Sequence, residues 1–491
     1  MWPNGSQKNA SVPFSELPGT SRLFADFVYH FDRVAEFYSH DLETAAKAID
    51  FPSERRAVLV AALRKRNGES ALLDMLAREG TYAVVTGQQV GLLTGPSYTV
   101  YKALTAVKLA RSLTGRGIPA VPIFWLATED HDLAEVDHAW VFDASNQPVS
   151  LRVAAAETGG PVGKIRLEGV PDLSGLPFAP EAYRNGRTFG EAFQDVLRMV
   201  LGEFGMLFLD PLDAGIRGIA APFLLRAWEA RDELRARLIE RNRELESRGY
   251  HTQVLFEPAS SLFFTLAGGK RQRATAPQAL SPNALLRPVM QDYLLPTVAH
   301  VGGPAEVAYL AQSEILYRSL GVPMPVEFPR ACFTLLDGRA AKLMGRYGLS
   351  LRDFFEGEQE LRERMARRLV PGEIARHIED TSARVTGLLD SLGTDLLQFD
   401  PGLDKAFSRS RSKILYQLSK TGRKTAREAM RRDQRAEQDA RYLSGLVYPH
   451  KHLQERFYGI LPFLARHGAD LIDRLYESIR LDCPDHQVLA V

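Results

Sequence analysis

At 491 residues, 45% of them hydrophobic, the chain is long enough for two or three structural units around a large core. Its 61 Lys and Arg nearly cancel 60 Asp and Glu, which removes any chain-wide electrostatic case for nucleic acid or a membrane surface as partner. Two cysteines, Cys332 and Cys483, are too few for a disulfide framework, and neither a charged leader nor an apolar run of about 18 residues is present, so a soluble, reduced, cytoplasmic protein is expected.

In chain order, residues 1–12 are polar and lack periodicity, which fits a loose terminus. Helical spacing runs from Arg22 to Leu76, with Phe24, Phe27, Val28, Phe31, Val34 and Phe37 on one apolar stripe and a second helix near Glu54–Lys65. Residues 1–79 are therefore expected to form an N-terminal helical layer. Strand Tyr82–Thr86, helix Pro96–Leu113 and strand Ala120–Ala127 then make a βαβ unit, a crossover that is right-handed and joins parallel strands. Further strands are expected at Met206–Leu209, Val298–Val301 and Val326–Phe328, giving an open parallel α/β core over residues 80–348.

Two insertions interrupt that rhythm. One, at 145–190, is rich in turn formers including Gly159 and Gly160; the other, at 250–290, carries SLFFTL, AGGK and RQRAT, the pattern of a hairpin. From Leu349 to about residue 450, charged segments rich in Leu, Ala, Glu and Arg predict two long antiparallel helices joined near Phe399–Asp404. The amphipathic stretch Leu453–Leu481, within residues 451–491, is expected to return to the core.

Three loops stand where one ligand could meet them all. TGQQVGLLTGP follows the first strand; Gly87, Gly91 and Gly95 permit close backbone approach, and a helix start at Pro96 would offer free amides to a phosphate or carboxylate. Gln88 and Gln89 add donors, and Tyr98 and Lys102 share a helix face. A tight connection without a ligand fits the same spacing, since neither standard phosphate-loop pattern is matched. ATEDHDLAEVDH closes the next strand of the same βαβ unit, so Glu129, Asp130, His131 and Asp132 fall on the same rim, as magnesium ligands, amine partners, general bases or simple helix caps. His131 and His138 are seven apart, a spacing that also admits a transition-metal pair.

HVGGPAEVAYLAQ repeats the strand, glycine, proline, helix order, with His300, Gly302 and Gly303 at the turn and Glu306 in the first helical turn. Arg287 and Arg330 lie in flanking loops, each able to clamp an anion or to form an ordinary salt bridge. Asp210 ends another strand before Pro211, placed to bind a ribose or to start a turn.

TGQQVGLLTGPSYTVYKALTAVKLA, FWLATEDHDLAEVDH, LSPNALLRPVMQDYLLPTVAHVGGPAEVAYL, GVPMPVEFPR and HLQERFYGILPFLARHG together resemble the cysteine-adding ligases of bacillithiol biosynthesis, from about Leu17 to near the C terminus. The resemblance implies a Rossmann-like parallel-sheet core with two connecting-peptide-like insertions, followed by an α-helical coiled-coil arm through which the family forms homodimers. It also implies an ATP-dependent ligase that joins the carboxyl group of cysteine to the amine of glucosaminyl-malate, the last step of the pathway, with ATP and Mg²⁺ as cofactors. On that footing Glu129, Asp130, His131 and Asp132 are the catalytic candidates, and Gly87, Gly95 and Asp210 the nucleotide contacts. Gln88, Gln89, Tyr98, Lys102, Arg287, His300, Gly302, Gly303 and Arg330 are the substrate contacts, and no resident protein-bound metal site is expected. The HIGH-type and KMSKS-type signatures of class I synthetases are absent, which leaves ATP either on the rim or near the coiled coil.

Two other readings stay open: a non-catalytic, nucleotide-responsive scaffold of a thiol pathway, and a metal-dependent hydrolase built on TEDHD. Residues 405–435 hold eleven Lys or Arg against Glu428 and Asp433, a stripe that fits an RNA contact less well than a solvated helical face or a contact with the Glu-rich segment 356–373. CPDH at 483–486 lacks partner ligands for zinc and reads as a packed tail, and Cys332 reads as core.

Overall fold

The computed structural model describes residues 10–143, 147–155, 160–267 and 270–491; the first nine residues, Gly159 and the Gly268–Gly269 pair lie outside them. Five strands form a parallel sheet: β1 (Tyr82–Gln89), β2 (Ala120–Ala127), β3 (Leu207–Leu209), β4 (Thr297–Gly302) and β5 (Val326–Pro329), in the order β5-β4-β1-β2-β3. Val84, Val85, Ile123, Phe124 and Trp125 are buried, the run of apolar residues that a strand covered on both faces needs. Each such side chain contributes roughly 1.5–3 kcal/mol on leaving water.

Helix α1 (Tyr98–Gly115) crosses from β1 to β2, and α2 (Pro304–Leu320) from β4 to β5. From β1 the chain steps to β2 and β3 on one side, then reappears as β4 and β5 on the other. The strand order thus reverses between β1 and β4, and open α/β sheets hold ligands in the crevice at the carboxyl ends of strands where this happens.

The N-terminal stripe is real but its helix is broken. Helix Arg22–Tyr29, capped by the Ser21 side chain, ends at His30, and Val34 and Phe37 are buried from short 3-10 turns instead. The glycine-rich turn also differs from expectation. A 3-10 turn covers Leu92–Thr94 and the α-helix begins at Tyr98, two residues beyond Pro96.

The first insertion contains hairpin His138–Phe142 with Pro148–Arg152, and the second a three-stranded antiparallel sheet of Phe263–Ala267, Lys270–Arg273 and Leu280–Pro282. The arm is two long helices, α3 (Gly372–Phe399) and α4 (Asp404–Arg432), joined at residues 400–403. Among the described residues only Gly393 is buried in α3 and only Ala426 and Met430 in α4, while Leu388, Leu392, Phe399 and Tyr416 are exposed. The basic side chains of α4 find acids close by: Arg411 pairs with Asp390, Arg427 with Glu363, and Arg431 with Glu428.

The returning stretch is not one helix but three, Gln454–Phe457, Leu461–His467 and Leu471–Ser478, interrupted at Gly459 and Gly468. It ends in strand His486–Ala490, held between Ala10–Val12 and Phe333–Leu336. No helix among the described residues is long and apolar enough to cross a membrane.

Candidate functional site

A cavity of about 330 Å³ opens at the crevice between β1 and β4. Gln88 and Gln89 line it from β1, Asp130 from beyond β2, His300 from β4, Gly303 and Glu306 from the start of α2, and Arg287, Tyr309, Arg330 and Arg456 from the periphery. Gln88, His300 and Gly303 therefore meet at one edge of the sheet.

Lys102 is almost wholly buried on α1, and its Nζ donates to the Gly87 carbonyl at 3.1 Å, Gln88 Oε1 at 3.0 Å and Glu306 Oε1 at 2.6 Å. An ammonium group has three donors, so all are engaged. Burial lowers its pKa against the opposing pull of Glu306. Lys102 is thus a brace for Gln88 and Glu306 rather than a free anion contact. Gln88 in turn donates to Tyr98 Oη at 3.1 Å. Gly87 must be glycine because it stands opposite Trp125, where a Cβ would come within 2.7 Å of the Trp125 carbonyl oxygen.

His300 and Glu327 are register partners on β4 and β5, which puts both side chains on one face; His300 Nδ1 lies 2.7 Å from Glu327 Oε2. Burial lifts the Glu327 carboxyl to about 7. Burial alone would lower His300, but the Glu327 charge and hydrogen bond outweigh it and the net direction is up. The other ring nitrogen of His300 has no hydrogen bond among the described residues, and His300 lines the cavity. Glu327 Oε1 is buried without a hydrogen-bond partner among the described residues, and a Cβ on Gly302 would lie 2.1 Å from it. Gly302 is therefore the space into which that carboxylate fits, not a ligand contact.

Of the four acidic-loop candidates only Asp130 lines the cavity, its Oδ2 accepting from Gln89 Nε2 at 2.6 Å. Glu129 turns away to Arg217 at 2.6 Å and to Ser281. Asp132 caps the 3-10 turn that follows, and His131 is exposed. No group of three potential metal ligands forms around His131 and His138 among the described residues; His138 pairs with Asp137 instead. Asp210 is engaged by Arg66 at 2.7 Å, by the Thr128 hydroxyl and by the Leu212 amide, and lines none of the cavities described here.

Arg330 is also committed: its guanidinium grips Glu455 bidentately at 2.7 and 3.0 Å, with both side chains buried. Cys332, Glu455 and His486 converge behind it, and burial raises the Cys332 thiol and lowers His486 to about 4. With Arg330 and the Phe333 amide both on Glu455, this trio ties the returning segment to the sheet. Arg287 differs: among the described residues it bonds only Tyr309 Oη at 2.8 Å and Gln291 at 3.4 Å, and has no carboxylate partner. Arg456, which sequence reading passed over, has no side-chain hydrogen bond or ion pair among the described residues.

The glycine turn does not present a phosphate cradle. Its amides are taken within the protein: Leu92 by the Val136 carbonyl, Leu93 by Tyr183 Oη, Gly95 by the Leu92 carbonyl and Ser97 by the Tyr458 carbonyl at 2.7 Å. Gly87 and Gly95 therefore do not form a triphosphate site.

The sequence comparisons agree along the whole chain. Residues 10–276 and 272–331 match the model of the N-terminal Rossmann-like domain of bacillithiol biosynthesis BshC, and residues 333–491 that of its C-terminal coiled-coil domain. The chain belongs to the BshC family. Relatives include proteins named "Putative cysteine ligase BshC" from Solibacter usitatus, 51% identical over 97% of this chain and 98% of the relative, and from Koribacter versatilis, 36% identical over 98% and 99%. A third, from Salinibacter ruber, carries the same name at 30% identity over 98% of both chains. The Rossmann-like sheet and the coiled-coil arm expected from the sequence are those of this BshC family member.

The functional residues that sequence reading missed are Glu327, Tyr309 and Arg456. Glu327 was open to detection, because aligning VGG of β4 with EFP of β5 as parallel neighbours sets an acid beside His300. Arg456 sits in a stretch whose amphipathicity masks it.

Proposed function

We propose that this chain is an ATP-dependent amide-forming ligase that joins the carboxyl group of cysteine to the amine of glucosaminyl-malate, the last step of bacillithiol formation. The observation that carries this reading is the crevice cavity, where Arg287, a cation without a carboxylate partner, faces a buried imidazole–carboxylate pair. Arg287 suits the malate carboxylates, helped by the positive end of α2. As the amine attacks the activated carboxyl carbon, a C–N bond forms, the C–O bond to the leaving group breaks, and the ammonium proton passes to His300, which Glu327 orients.

Asp130 offers one oxygen-ligand position for Mg²⁺, already shared with Gln89. A third cavity, of about 430 Å³, lies at the arm base; Arg362, Arg427 and Arg431, each paired with a glutamate, line it beside Asp433, and it is open to a nucleotide where the glycine turn is capped. The exposed apolar residues of the arm support homodimer formation, and the two free thiols suit a cytoplasmic setting.

Purified protein incubated with ATP, Mg²⁺, cysteine and glucosaminyl-malate should yield a thiol of the amide's mass; its absence across nucleotide and metal conditions would sink the reading. The arm also leaves room for the scaffold alternative, since its apolar stripe would serve partner recruitment equally well. His131 and Asp132 do not discriminate the two readings, because neither reaches the cavity. His300→Ala does: a scaffold keeps cellular thiol levels, a ligase loses them.

A further inference from the structure

A second cavity of about 360 Å³ adjoins the first across a wall formed by Gln88, Gln89, Tyr98 and Arg456. Of the rest of its lining, Glu135 after β2, Trp140 of the insertion hairpin, and His450, His452 and Phe457 of the returning segment have no part in the chemistry above. One arginine and one carboxylate meet the shared wall. Arg456 belongs to the shared wall, and Glu135 is tied to that wall by Gln89, whose Nε2 donates to Glu135 at 2.5 Å and to Asp130 at 2.6 Å. The lining that belongs to this chamber alone includes an aromatic cluster. Trp140 stacks on Phe457 with centroids 4.5 Å apart, and the His450 ring stands 5.3 Å from Trp140 and 5.2 Å from Phe457.

His450 and Lys451 hold φ of +48° and +64°, a backbone that residues with side chains adopt only when their surroundings impose it, and such residues concentrate at binding sites. One arginine and one carboxylate in a single chamber do not suit a polyphosphate. They suit a zwitterion, because an α-amino acid carries ammonium and carboxylate on a single carbon. A sulfur atom gains from contact with aromatic rings, which the same chamber supplies.

We propose that this second chamber is the amino-acid subsite, taking a small zwitterionic thiol amino acid with its ammonium on Glu135, its carboxylate on Arg456 and its side chain against Trp140, His450 and Phe457. The inference rests on the ligase reading and deepens it. The carboxyl carbon then sits at the wall, facing the chamber where the acceptor amine would stand, and the new C–N bond forms between the two compartments. Arg456, whose side chain makes no hydrogen bond or ion pair among the described residues, orients the carboxyl that reacts.

Initial rates of the full-length protein, with each substrate varied in turn, test this. Glu135→Gln, at an exposed position that tolerates the change, should raise the KM for cysteine about 10- to 100-fold through loss of one charged hydrogen bond. The KM for glucosaminyl-malate should stay near the wild-type value. Trp140→Leu should narrow the preference for cysteine over serine by up to about tenfold. An unchanged KM for cysteine in both variants, or a rise confined to the sugar acid, overturns the proposal. If Arg287→Met leaves the sugar-acid KM untouched while Glu135→Gln raises that of cysteine, the first-chamber assignment fails and the amino-acid subsite stands. If no condition gives turnover, calorimetric titration with L-cysteine decides: binding weakened by Glu135→Gln supports the subsite, and equal or absent binding in wild type and variant removes it.

Discussion

Two glycine–proline helix starts flank the crevice, and they behave differently. At Gly91–Pro96 the chain turns through left-handed backbone at Leu93, Thr94 and Gly95, and the returning segment plugs it: the Tyr458 carbonyl takes the Ser97 amide and Gly459 lies against the Gly95 carbonyl. At Gly302–Pro304 the turn stays open to the cavity, and the chain supplies its own acid, Glu306, whose Oε2 accepts the Gly303 amide at 2.6 Å. Both loops have the composition associated with anion binding. One is a structural joint and the other part of the cavity wall. What separates them is a segment more than 150 residues distant in sequence from either, so local grammar locates the rim without revealing which turn remains accessible.

The sharpest test of that contrast is Gly302→Ala. A Cβ there would meet Glu327 Oε1 at 2.1 Å and Glu306 Cβ at 3.0 Å, displacing the buried pair from both sides. Turnover should fall by at least about 100-fold, the contribution of a general base, and denaturant unfolding should show a loss of about 1–3 kcal/mol. Next, Arg287→Met should raise the KM for the sugar acid about 10- to 100-fold, as expected for a charged hydrogen bond lost from a partly buried site.

Glu327→Gln keeps the base but removes its orienting charge, so turnover should fall by about tenfold, less than removal of the base itself. The proton acceptor must be unprotonated, so kcat/KM in the wild type should decline as pH falls through the raised pKa of His300. In the Gln variant the carboxylate that raises His300 is gone while burial, which lowers it, persists. The acid limb should therefore move to lower pH, and a pH–rate profile that does not move would contradict the pairing. The smallest effect belongs to the plugged turn. Gly459→Ala brings a Cβ to 3.0 Å from the Gly95 oxygen, main chain that cannot step aside, and should lower unfolding free energy by about 1–2 kcal/mol.

The sheet was legible because strands buried on both faces write themselves as apolar runs such as AVV and AVPIFWLA, and because Gly87 and Gly303 punctuate their ends. Gln88, Gln89, Asp130, Arg287 and His300 do reach the crevice. What could not be read was pairing at long range. Glu129 is claimed by Arg217, Asp210 by Arg66 and Arg330 by Glu455, partners separated by 88, 144 and 125 residues, and each removes an apparent ligand from the list. Lys102 looked free for the opposite reason: its three acceptors include a carbonyl of the preceding strand, which no side-chain pattern reports.

The arm leaves the body at Pro371 and is back at Asp433 after two antiparallel helices of 28 and 29 residues, a span of about 42 Å for α3 at about 1.5 Å per residue. Because departure and return share one end, adding or removing matched whole turns in the two helices would move the tip without tugging on either chamber. The reach of the arm and the geometry of the crevice are thus adjustable independently, so relatives or engineered variants can lengthen or shorten one while the other stays as it is.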